Sequence, residues 1–117
     1  MAYYDLAIVA VPTDQRTAYV AWAENMNTVL VEYGALAITD CWGDDVPDGT
    51  INSLNSAVLK EEHETVAAGW IKWPSKAVRD EGMQKLSTDP RIAGDNNHAP
   101  FDGKRMIFGG FEPFRDG

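Results

Sequence analysis

The residues best suited to proton transfer lie together near the end of the chain. His98, Asp102, Lys104 and Arg105 fall within one short stretch, and a histidine beside a carboxylate is a common general base. His98 precedes the turn at Pro100, which can bring it to Asp102; an exposed loop histidine is the plain alternative. Asp102 beside the two cations Lys104 and Arg105 would orient a polar substrate or act as an acid–base pair if partly buried. A surface turn with ordinary salt links is the other reading. Arg79, Asp80 and Arg91 could enlarge this polar cluster, although Arg79 and Asp80 are helix neighbours expected to point apart.

His63 and His98 are the only histidines, both in polar segments, and no carboxylate stands at metal-ligand spacing in an ordered element. No metal site is expected. No phosphate loop, nucleotide fingerprint or nucleophile elbow is present, so no cofactor is expected either.

Gly109-Gly110 sits in a segment that otherwise reads as a strand, where glycine weakens the sheet and marks a bulge or a close approach. It is read as the floor of a small-molecule pocket or as a bulge or dimer contact. Trp22, Trp42, Trp70 and Trp73 would line an apolar cavity or fill core and interface. The candidate ligand-binding set is Trp42, Trp70, Lys104, Gly109 and Gly110; the candidate catalytic set is His98, Asp102 and Arg105. Cys41, in a strand beside Trp42 with Asp40 and Asp44 near it, reads as a buried structural thiol.

These groups must be held by a small set of elements. Leu6 to Val11 is a branched apolar run ending at Pro12 and reads as a strand. Thr13 or Asp14 would cap a following helix, along which Tyr19, Ala23, Met26, Leu30 and Tyr33 recur at helical spacing up to Gly34. Ala35 to Trp42 and Val66 to Trp73 read as strands, and Ser75 caps a second helix carrying Val78, Met83 and Leu86 up to Asp89-Pro90. Pro100 to Gly103 turns into a last strand, Arg105 to Glu112. Residues 50 to 64 stay mostly unassigned, with one helical turn possible at Leu54, Ala57 and Val58.

The order is βαββαβ, a ferredoxin-like α+β plan with a four-stranded antiparallel sheet, expected as a single domain over residues 1–117. Helices on one face leave the other bare, and the aromatics on the strands call for a second sheet as cover, as in a homodimer.

Composition narrows the function. With 10 basic and 18 acidic side chains the net charge is −8, which repels nucleic acid and anionic membranes unless cations are segregated, and they are scattered. One cysteine and no long apolar run point to a cytoplasmic protein.

Cys41-Trp42, Asp45-Val46-Pro47-Asp48-Gly49, Trp70, Pro74-Ser75-Lys76, Arg79-Asp80, Asp89-Pro90-Arg91 and the run from Pro100 to Glu112 resemble the YbaA-like bacterial family, a group of unknown function. The resemblance implies a dimeric α+β barrel of ferredoxin-like halves and carries over no catalytic residues. The chain departs from the family pattern at Ala68-Gly69, where bulkier side chains are usual, and around Asp95 to His98; a pocket shaped there should differ. Two functions follow as expectations: a homodimeric small-ligand-binding or accessory protein, or a cofactor-free monooxygenase- or isomerase-like enzyme acting on a small aromatic or carbonyl compound.

Overall fold

The computed structural model describes residues 1–117. The first branched run forms β1 (Tyr3–Pro12). A tight turn over Thr13–Gln15 leads into α1 (Arg16–Glu32), which has no side-chain cap. The expected cap is absent because Thr13 is engaged elsewhere, its hydroxyl 2.7 Å from that of Thr65.

At the far end of α1 the Ala35 amide bonds the Leu30 carbonyl and the Gly34 amide bonds that of Val31. This is the Schellman closure, and it places Gly34 at φ +114, a conformation open to glycine. The chain continues through β2 (Ala37–Trp42), α2 (Leu54–Ala57), β3 (Glu64–Trp73), α3 (Lys76–Thr88) and β4 (Ile107–Phe111). Ser75 caps α3 by accepting from the Val78 amide. The last strand starts two residues later than its sequence suggests, because Gly103–Arg105 is a turn whose Lys104 amide bonds Asp102.

The strands lie in the order β2-β3-β1-β4, every neighbouring pair antiparallel. That is the ferredoxin-like α+β arrangement. Side chains alternate across each strand, so Tyr3, Asp5, Ala7, Val9 and Val11 share one face with Trp73, Ile71, Gly69 and Ala67. The helices α1 and α3 cover this face. Val29 and Leu30 of α1 and Leu86 of α3 pack with Trp73, and Tyr19 packs with Val9, Val11 and Ala67.

The other face is partly covered by a segment that the sequence left mostly unassigned, apart from the one helical turn that forms as α2. Ser53 and Ser56 cap α2 reciprocally, and the turn presses fully buried Val58 onto Ala10 and Val66. Leu6, Trp70, Ile107 and Phe111 remain exposed on the rest of that face. Cys41 is exposed as well, which corrects the expectation of a buried thiol: it lies on the outward side of edge strand β2. No helix is long and apolar enough to cross a membrane.

Candidate functional site

Three small residues meet where the helix–sheet layer should be filled. Ala7 of β1 pairs with Gly69 of β3, and Ala23 of α1 stands among the residues around the same space. The result is a cavity of about 130 Å³. Its apolar walls include Leu30, Ile38, Ile71, Leu86, Phe101 and Phe108, and Met26, Met83 and Met106 also border it. Methionine is unbranched and adaptable, so these walls can fit ligands of different outline.

Polar groups stand at two places on this lining. At one, the Asp5 carboxylate is 1% exposed and completely partnered. Arg79 donates to it through Nε at 3.1 Å and Nη2 at 2.7 Å, and the Trp73 indole N–H donates at 2.9 Å. Arg79 also reaches back to Asp80 at 2.9 Å and lies over the Tyr3 ring. The two helix neighbours do meet, against expectation, because the long arginine side chain folds along the helix.

At the other place, Asn27 Nδ2 donates to Asp40 Oδ2 at 2.7 Å. Tyr19 lies beside them, its ring 5.6 Å from Trp22, 6.0 Å from Trp42 and 5.9 Å from Phe101. Burial, assisted by the negative charge of Asp40, pushes the Tyr19 hydroxyl up to about 12. Tyr19, Ala23, Asn27 and Asp40 also line an outer groove with Arg16, Glu24 and Trp42. The groove therefore meets the cavity at these four residues.

The expected catalytic residues lie elsewhere. His98 is exposed and pairs with Asp95 at 3.0 Å rather than with Asp102. Asp102 accepts from the Lys104 amide and from Arg105 Nε at 3.2 Å. Arg105 spans both oxygens of Glu64 at 2.7 Å and donates to the Leu59 carbonyl at 2.9 Å. Leu59 has φ +53, unusual for a branched side chain, so Arg105 and Glu64 hold a strained loop. Arg105 keeps the Glu64 carboxyl down at about 2. Arg91 forms a separate cluster with Asp89 and Glu32, which Tyr33 joins through its hydroxyl. Glu61, His63 and Glu64 come within 4.8 Å of one another, but Arg105 and the Glu61 amide already occupy the Glu64 carboxylate.

Of the expected ligand-binding residues, Trp70 alone borders the cavity, and strand alternation places its ring on the opposite face. Trp42 lines the groove, and Lys104 is exposed. Gly109 and Gly110 pair in unbroken register with Leu6 and Asp5, so there is no bulge. A side chain at Gly110 would strike the Tyr3 hydroxyl and Arg79; the glycine makes room for the Asp5–Arg79 pair. Sequence reasoning missed Asp5, Tyr19, Asn27 and Asp40. The available signal was the smallness of Ala7 and Gly69 at mid-strand.

No histidine, cysteine, serine, threonine, lysine or arginine borders the cavity. Fold and site together define a ferredoxin-like α+β protein with an apolar helix–sheet cavity. Residues 2–103 match the family described as protein of unknown function, DUF1428, and the chain belongs to that family. It is 47% identical over 116 residues to the uncharacterized protein YbaA of Escherichia coli K12, spanning 99% of both chains, and equally so to YbaA of Shigella flexneri. Among solved structures it is similar to Rv0793 from Mycobacterium tuberculosis, with 15% identity, a TM-score of 0.49, and 99% and 98% of the two chains covered.

Proposed function

We propose that the chain is a homodimeric cytoplasmic protein that binds a small, mainly apolar molecule between its helices and its sheet. The observation that carries this reading is the cavity itself. Interiors are normally packed to crystal density, and an apolar void of comparable size, about 150 Å³, takes up benzene or xenon. Three methionines on its wall suit a binding role more than a rigid core.

The dimer rests on the opposite face. Trp70 at 39% and Phe111 at 54% exposure stand with Leu6 and Ile107 on a surface that a second copy would bury. Beside it the tail is pinned, Asp116 accepting from the Tyr4 hydroxyl at 2.7 Å and pairing with Lys72 at 3.3 Å. Phe114 is left fully exposed on that tail. The unpaired, exposed Cys41 suits a reducing compartment.

Two measurements test the proposal. Light scattering at micromolar concentration should give twice the 12.9 kDa chain mass; a monomer would contradict the dimer. Titration with p-cresol should move the methyl resonances of Met26, Met83 and Met106 saturably, leaving the exposed Met1 as the internal reference. Absence of a saturable shift at the three cavity methionines with p-cresol and with toluene alike would contradict the binding reading.

A further inference from the structure

Two polar atoms where the cavity meets the groove, the Tyr19 hydroxyl oxygen and Asp40 Oδ1, have no hydrogen-bond partner within the chain. Tyr19 is 7% exposed, yet its hydroxyl takes part in none of the side-chain hydrogen bonds that tie this layer together. No fully enclosed side-chain polar atom lacks a partner, so the hydroxyl must reach open space, and Tyr19 lines both this cavity and this groove. Asp40 uses Oδ2 for Asn27, while its Oδ1 stands 2.7 Å from where a Gly69 side chain would begin. The missing side chain at Gly69 thus gives the carboxylate its place beside the cavity floor.

The charges around the cavity are one-sided. Asp5 and Asp40 border it and no cation does; the guanidinium of Arg79 is spent on Asp5 and Asp80. In the outer groove Arg16 lies over the Trp42 ring, 5.6 Å from its centroid, opposed by Glu24 and Asp40. A carboxylate or phosphate ligand would enter a negative field. A neutral ligand with an O–H or N–H would meet a free carboxylate oxygen and a hydroxyl able to donate or accept.

Resting on the binding reading above, we infer that the ligand is a single uncharged ring bearing one hydrogen-bond donor, such as a phenol or an aromatic amine. The ring fills the apolar cavity, and the donor binds Asp40 Oδ1 beside the Tyr19 hydroxyl. The cavity admits on the order of six to eight non-hydrogen atoms, by comparison with the benzene-binding void.

Three probes of one skeleton test this, read by the shifts of the Met26, Met83 and Met106 methyls: p-cresol, toluene and 4-methylbenzoate. The wild-type protein should bind p-cresol about tenfold more tightly than toluene, since one charge-assisted hydrogen bond is worth about that factor, and should show no saturable response to 4-methylbenzoate. Asp40→Ala and Tyr19→Phe should each narrow the preference for p-cresol over toluene. Equal affinity for p-cresol and toluene, tight binding of 4-methylbenzoate, or a preference untouched by both variants would overturn the inference while the cavity reading stands. No saturable shift with any of the probes would overturn both.

Discussion

Asp5 and Asp40 are both carboxylates on the helix-facing side of the same sheet, and both border the same cavity. They differ in everything else. Asp5 is enclosed, with both oxygens occupied by Arg79 and Trp73, whereas Asp40 is exposed, with one oxygen on Asn27 and the other free. The first is architecture: it fastens α3 to β1, and Gly110 of β4 is bare to admit it. The second is available chemistry. A buried charge must be paired to be tolerated, so a free oxygen survives only where water or a ligand can reach it. The same division separates Arg105, locked between Glu64 and Leu59, from Tyr19.

The sharpest way to break this comparison is to strip Asp5 of its partner. Arg79→Met should cost about 3 to 5 kcal/mol in urea unfolding, because it strands a buried carboxylate. A cost under about 1 kcal/mol would show that the Asp5 end is no more structural than the other.

Acid attacks the second clamp. The Glu64 carboxyl is held at about 2 by Arg105, below its ordinary value of 4.5. A lowered carboxyl contributes stability that is full above the unfolded pKa and lost as pH falls through the folded one. The stability advantage of wild type over Glu64→Gln should therefore shrink by roughly 3 kcal/mol between about pH 5 and about pH 2. A constant difference across that range would contradict the Arg105–Glu64 account.

Filling the void is the next smaller effect. Ala7→Leu should raise stability by about 1 kcal/mol, as cavity filling commonly does, and abolish the methyl response to p-cresol. A destabilised variant that still binds would place the ligand elsewhere. Smallest of all, Asp40→Ala should change stability by less than about 0.5 kcal/mol, in contrast to any removal of Asp5 or Arg79.

The sheet and its two long helices were legible because their signals are local. A branched run marks β1, Pro74 ends the stretch that forms β3, the three-and-four spacing from Tyr19 to Tyr33 marks α1, and Gly34 and Ser75 mark helix ends. Residues 50–64 were legible only in the one helical turn at Leu54–Ala57: the burial of Val58 against Ala10 and Val66 is set by the sheet, and no periodicity announces it. The polar pairings failed for the same reason. His98 and Asp102 are near in sequence, yet Arg105 draws Asp102 toward Glu64 and His98 stays with Asp95. Cavities are the hardest case, since a void is defined by what three separated small residues, Ala7, Ala23 and Gly69, leave unfilled.

The most direct test is a crystal structure of the wild-type protein grown with p-cresol. The account predicts one ring per chain between Met26, Met83 and Phe108, with its hydroxyl within hydrogen-bond reach of Asp40. A ring seated instead on the opposite face, against Leu6 and Trp70, or an empty cavity at saturating ligand, would contradict it.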